Sequence, residues 1–299
     1  MMAKRVNSTQ KRLYHKEVTM IDLKMSAFAD EYADSFDGQL AICKELGIPY
    51  IELRFIDGKN ISVLTEEELD EVEKKLKVSG IGVSSIGSPI GKICLDGDME
   101  AHLEMAEKVF AIAKRFGAKY ARIFSFYLPE GKTREECKEE IFVALEKIIT
   151  LAEKYGVIPC HENEAKIYGE SPAYCLELMQ RFGGRLKAVF DMGNFVLDGH
   201  DPYPNAYNML KEYIAYFHIK DSLFAGAIVP PGKGEAKIKE VLDDYRSTAT
   251  EATFITLEPH LQTFSGLNAL VGKAFDNPYK FETKEIAFRT AHEELCKLL

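Results

Sequence analysis

The feature that most constrains this chain is an eightfold alternation of short apolar runs with helical patterns. The segments 21–28 (IDLKMSAF), 49–55 (PYIELRF), 81–88 (IGVSSIGS), 119–126 (KYARIFSF), 157–163 (VIPCHEN), 186–194 (LKAVFDMGN), 214–221 (IAYFHIKD) and 252–259 (ATFITLEP) read as strands. Helical spacing is predicted over 36–46, 65–80, 98–116, 133–155, 171–182, 204–213, 236–247 and 283–298. The punctuation agrees: Gly47, Gly80, Gly117, Gly156 and Gly183 stand where helices stop, and Pro172 opens one. Thr65 and Glu68 form the S/T-x-x-E capping box. Parallel strands need a crossover, so strict strand–helix alternation predicts a parallel sheet. Eight such units within 299 residues predict a closed (β/α)₈ TIM barrel, a single α/β domain over 21–299. An open doubly wound sheet is the alternative, but no G-x-G-x-x-G follows the first strand. Residues 1–20 are polar and aperiodic and read as an N-terminal extension. Segment 261–281 is longer than an ordinary connection and is expected to be a capping or interface insertion.

Composition narrows the partners. Lys and Arg number 38 against 47 Asp and Glu, a net charge of −9, which speaks against a nucleic-acid face. Six scattered cysteines show no C-x-x-C, the basic N-terminus has no apolar run behind it, and no stretch of about 18 apolar residues exists. The expectation is a cytoplasmic protein with reduced thiols and no membrane partner.

In a (β/α)₈ barrel, chemistry sits at the C-terminal ends of the strands. The second strand ends Glu52-Leu-Arg54, the fifth His161-Glu162-Asn163-Glu164, and the sixth Asp191-Met-Gly-Asn194. The seventh ends His218-Ile-Lys220-Asp221 and the eighth Glu258-Pro-His260. Four consecutive strands therefore deliver Glu162, Asp191, His218 and Glu258 to one face. Three converging carboxylates need a counter-charge. One divalent ion supplies it, and oxygen donors with one imidazole favour Mn²⁺, with Mg²⁺, Co²⁺ and Zn²⁺ open.

These residues also carry a resemblance. YIELR (50–54), HENEAKIYGESPAYCLELM (161–179), FDMGNF (190–195), DPYPNAYNMLKEYIAYFHIKD (201–221), PPGKGEAKIKEVL (230–242) and LEPHL (257–261) occur in an order and spacing. In that arrangement the chain resembles the sugar phosphate isomerase/epimerase group of the xylose-isomerase-like, AP endonuclease family 2-like TIM barrels. The resemblance implies one metal held by Glu162, Asp191, His218 and Glu258, with Glu162 and Glu258 also acting as acid and base. Many epimerases carry D-x-x-H at the metal aspartate; here Asn194 stands at that histidine position.

The implied function is a divalent-metal-dependent isomerase or epimerase of a sugar or sugar phosphate, working by proton transfer through an enediolate. The same site can eliminate a β-hydroxyl, so a dehydratase or lyase on an inosose or keto-sugar is the alternative. A non-catalytic sugar-binding barrel is a second alternative, and a multi-metal apurinic endonuclease is disfavoured by charge and ligand count. Asn194, Lys220, His260, Glu52 and Arg54 are the candidate substrate-binding residues, with ion pairing the competing role for Lys220, Glu52 and Arg54. His161 alternates with Glu162 and should face away from the site. Phe124, Phe126 and Tyr127 offer an aromatic wall, and the GKGE loop at 232–235 a weak phosphate-approaching loop or a helix-start turn. Barrels of this group commonly pair, so a homo-oligomer is open.

Overall fold

The computed structural model describes residues 21–261 and 279–299. The expected extension at 1–20 and most of the expected insertion at 261–281 lie outside the described residues. Eight parallel strands form one sheet: β1 Leu23–Ala27, β2 Tyr50–Leu53, β3 Gly82–Gly87, β4 Tyr120–Ile123, β5 Ile158–Glu162, β6 Lys187–Asp191, β7 Ile214–Ile219 and β8 Thr253–Leu257. They are hydrogen-bonded in the order β1-β8-β7-β6-β5-β4-β3-β2. β1 and β2 lie side by side at the remaining seam, so the sheet is a nearly closed barrel.

The helices that follow the strands are α1 Phe36–Glu45, α2 Glu66–Ser79, α3 Met99–Arg115, α4 Arg134–Tyr155, α5 Pro172–Phe182, α6 Met192–Leu197, α7 Tyr207–Leu210, α8 Ile238–Thr248 and α9 Lys284–Cys296. Local chemistry sets their ends. Thr65 and Thr133 form complete capping boxes with Glu68 and Glu136, and Gly80 and Gly156 close α2 and α4 in the left-handed conformation. α3 shows how a face is chosen: Ala106, Val109, Phe110 and Ala113 recur at helical spacing and are fully buried under the sheet's outer side.

Two differences from the sequence reading bear on the site. The strand expected over 186–194 stops at Asp191, because the Asp191 carboxylate accepts the Asn194 N–H and starts α6 at once. The helix expected over 204–213 is found as a π-helical turn Pro202–Ala206, in which Tyr203 is extended, running into the four-residue α7.

The barrel interior follows the two-residue alternation of a strand. Cys160 lies two before Glu162, Val189 two before Asp191, and Tyr216 two before His218. Cys160, Val189 and Tyr216 form their own buried cluster, separate from the large core between sheet and helices. A packed apolar layer therefore floors the barrel, and the charged residues stand on top of it at the strand ends.

Candidate functional site

Glu162, Asp191, His218 and Glu258 end β5, β6 and β7 or immediately follow β8, and all four are buried. Each offers one donor atom, and these atoms lie within 4.8 Å of one another. His218 Nδ1 is the hub, 3.0 Å from Glu162 Oε1 and 3.2 Å from Glu258 Oε2. Its other nitrogen, Nε2, lies 3.2 Å from Glu52 Oε2. Thr256 donates to that same Glu52 oxygen at 2.9 Å, and the Tyr216 hydroxyl donates to Glu52 Oε1 at 3.0 Å.

Three cations fit around the carboxylates. Arg122 Nη1 is 3.1 Å from Glu162 Oε2, and its guanidinium packs against the Phe28 and Phe124 rings. Lys220 Nζ is 2.9 Å from Asp191 Oδ2 and 3.4 Å from Glu258 Oε2. Arg54 Nη1 is 3.0 Å from Glu258 Oε1.

Burial works against every one of these charges, and the neighbours decide the outcome. Burial alone would raise the Glu162 carboxyl, but His218 and Arg122 overcome it and hold the group down at about 2. Glu258 is likewise held well below the usual carboxylate range, against its burial, by Lys220, His260 and His218. For Asp191 burial prevails over Lys220, and the carboxyl is pushed up to about 6. His218 is driven well above the ordinary imidazole range, against burial, by Glu162, Glu52 and Glu258. An imidazole surrounded by three carboxylates takes up a cation, either a proton or a metal.

The residues fit a divalent ion. Glu162 Oε2 and Asp191 Oδ2 are buried and accept no hydrogen bond, although Arg122 and Lys220 stand beside them. Each is balanced by a protein cation at ion-pair distance and has acceptor capacity left for an ion. The donor set of three carboxylates and one neutral imidazole nitrogen suits a hard or borderline ion. Asp191 divides its work: Oδ1 caps α6 by accepting the Asn194 N–H at 2.9 Å, which leaves Oδ2 for the cluster.

A cavity of about 310 Å³ lies beside the cluster, lined by Asn194, Lys220, His260, Asp198 and Glu164 among others; Lys220 and His260 in its wall contact Glu258. That is the lower end of small-molecule pockets. Larger hollows of about 480 and 640 Å³ lie at the starts of β6 and β7 and between α3 and α4, away from these residues.

The structure places Asn194, Lys220 and His260 at the cavity. Asn194 donates to the Asn163 carbonyl at 2.8 Å and reaches Glu162 Oε1 at 3.4 Å. Glu52 is placed elsewhere: its carboxylate has no exposure and pairs with His218 from beneath, away from the residues that line the cavity. Arg54 takes the ion-pairing role, its guanidinium meeting Asp30, Glu31 and Glu258. Phe124 and Phe126 are fully buried and provide no open aromatic wall. In the 232–235 loop the N–H groups of Gly232 and Gly234, and then that of Ala236, donate to Asp221, so the chain's own carboxylate takes the place a phosphate would need. His161 faces away as expected, 2.9 Å from Ser125 Oγ, and burial lowers it to about 4.

Arg122 and the pair Asp30 and Glu31 are the site residues that strand-end reasoning missed. Arg122 carried a usable signal, a charge inside the otherwise apolar run YARIF (120–124).

The model of the xylose isomerase-like TIM barrel matches residues 40–271, most of the chain. The chain belongs to that family. No curated protein sequence matches it significantly. Solved structures similar to this xylose isomerase-like barrel include the D-psicose 3-epimerase of Clostridium cellulolyticum H10 with D-tagatose. That match has a TM-score of 0.70 and 13% identity, covering 92% of this chain and 98% of the other. An L-ribulose 3-epimerase is similar at TM-score 0.70 and 18% identity, over 94% and 95% of the two chains. The probable 3-DHS dehydratase AsbF of Bacillus anthracis is similar at TM-score 0.66 and 19% identity, over 84% and 98%. At these identities the likeness speaks to the fold.

Proposed function

We propose that this barrel is a divalent-metal-dependent isomerase or epimerase of a small sugar or sugar derivative, moving a proton beside a carbonyl. The observation that carries it is the convergence of Glu162 and Glu258 on His218 Nδ1 at 3.0 and 3.2 Å, with Asp191 completing the donor set. Glu162, Asp191, His218 and Glu258 would hold the ion, with Mn²⁺ favoured by the donors. Bound there, it supplies Lewis-acid stabilisation to negative charge on substrate oxygens.

The chain's residues do the rest. Glu162 and Glu258 are kept ionised by their cations, so either can take a proton from carbon. One removes the proton and the other returns it, or one does both, which distinguishes epimerisation from isomerisation. Lys220 and Asn194 line the cavity and bind substrate oxygens there. Glu52 holds His218 in the tautomer that leaves Nδ1 free, by accepting the Nε2 proton.

The test is solvent exchange. Candidate ketoses, their phosphates, inososes and 3-keto-sugars are incubated in D₂O with Mn²⁺ and followed by NMR. Deuterium should enter one carbon of the true substrate. Glu258→Gln should fold and bind substrate yet lose that exchange by at least about 100-fold, the usual contribution of a positioned base; ordinary exchange in the variant would refute the assignment.

A second reading is dehydration. The Lys220 ammonium in the cavity is placed to hydrogen-bond a departing hydroxyl, and a probable dehydratase is among the similar structures. In the same experiment it would appear as loss of water from the substrate rather than a new stereoisomer.

A further inference from the structure

Glu258 presents its two oxygens to two different surroundings. Oε2 faces His218 and Lys220 at 3.2 and 3.4 Å. Oε1 faces the opposite set: Arg54 Nη1 at 3.0 Å and His260 Nε2 at 3.4 Å. His260 Nε2 also lies 3.1 Å from Glu31 Oε1. Backbone geometry contributes here, because His260 adopts a left-handed φ of 47° just beyond β8, which a strand continuing past Leu257 would not provide.

Glu31, Glu258 and His260 thus form a second group whose donor atoms lie within 4.8 Å of one another. Donors sharing one ion at bond lengths of about 2.1 Å sit roughly 3.0–3.4 Å apart, from tetrahedral or octahedral geometry. The separations of 3.1 and 3.4 Å about His260 Nε2 match that spacing. What stands against these carboxylates in this chain is a guanidinium. Arg54 reaches Glu258 Oε1 with Nη1, Glu31 Oε1 with Nη2 at 3.2 Å, and Asp30 with Nε at 2.8 Å and Nη2 at 3.1 Å. Its flat face lies over the Phe28 ring, 4.2 Å from the centroid, which fixes the side chain in that place.

We propose that Arg54 is a built-in cation occupying a second metal position formed by Glu31, Glu258 and His260, and that it restricts the centre to a single ion. The inference rests on the reading that the first ion binds Glu162, Asp191, His218 and Glu258, through Glu258 Oε2. A guanidinium is permanently charged, so it supplies a counter-charge to Asp30, Glu31 and Glu258 without any ion and holds Glu258 Oε1 in one orientation. It also explains why a barrel so rich in strand-end carboxylates need not collect several ions, as a multi-metal nuclease must. Without Arg54, one buried and two partly buried acids and an imidazole would be left facing one another, and a divalent cation is the partner that restores the balance.

The experiment counts ions. Wild type, Arg54→Ala and Arg54→Ala/His260→Gln are stripped with a chelator and titrated with Mn²⁺ by equilibrium dialysis, reading bound ion per chain. Arg54→Ala should bind one equivalent more than wild type, and removing His260 as well should abolish the extra one. No gain in Arg54→Ala, or a gain that survives loss of His260, overturns the proposal. If Arg54→Ala does not fold, Arg54→Gln keeps the side-chain length and carries the same expectations. The wild-type count judges the four-ligand reading separately: a value of zero would sink that reading, whereas the difference between variant and wild type judges Arg54.

Discussion

Glu52 shows how the role of a residue depends on which atoms it meets. It has the right position in sequence for a pocket carboxylate, at the end of β2, and the right charge. Its three hydrogen-bonding commitments face inward: Tyr216 on Oε1, and Thr256 and His218 on Oε2. A carboxylate behind a metal-facing imidazole orients the ring and raises its basicity. Glu52→Gln removes that charge at little change in volume. The expected result is Mn²⁺ affinity roughly 10–100-fold weaker, the usual cost of losing such a partner. Calorimetric titration of the purified variant checks it, and unchanged affinity would remove Glu52 from the site.

At the scale of elements, the junction between β6 and α6 is the most constrained. Asp191 ends the strand, caps the helix with one oxygen and offers the other to the cluster. The next turn must then pass close to β7. A Cβ on Gly193 would lie 2.8 Å from both the Lys220 carbonyl oxygen and Lys220 Cγ, so only glycine fits between α6 and the lysine. Ser222 strengthens this seam by donating to the Gly193 carbonyl at 2.7 Å. Gly193→Ala should therefore push α6 and Lys220 apart, costing about 1–3 kcal/mol as other overpacked positions do. Thermal melting would register it as a lower Tm, and Mn²⁺ titration as weaker binding, since Asp191 moves with the helix. An unaltered Tm and affinity would show that the junction tolerates displacement.

At the scale of the whole molecule, the cluster unites strands from the second half of the chain with Arg54 and Glu52 from the first. An ion bound only by the closed barrel must stabilise it, because the unfolded chain offers no such assembled donors. At a free Mn²⁺ concentration of 100 times Kd, linkage adds about 2.7 kcal/mol, worth several degrees in Tm for a domain of this size. Differential scanning fluorimetry should show that rise, its reversal by a chelator, and its absence in Asp191→Asn. A Tm indifferent to Mn²⁺ in the wild-type protein would argue for a barrel without a resident ion.

Much of this molecule was legible one segment at a time. Capping boxes, stop glycines and strand-length apolar runs are written in adjacent residues, so all eight barrel strands and the four strand-end donors Glu162, Asp191, His218 and Glu258 can be read from the chain alone. Local pattern failed where a side chain intervened, as Asp191 did in ending β6 early and starting α6. What only the tertiary structure decided is the pairing of charges. Arg54 meets Glu258 across 204 residues of sequence, and Glu52 meets Thr256 across the same span. Such contacts exist only once β1, β2 and β8 come together at the seam of the barrel. Closure decided between the two roles open to each: Glu52 supports His218, and Arg54 stands as a cation among carboxylates. Periodicity determines which way a strand residue points; the identity of the group waiting there is set by distant segments, and that group governs both charge state and role.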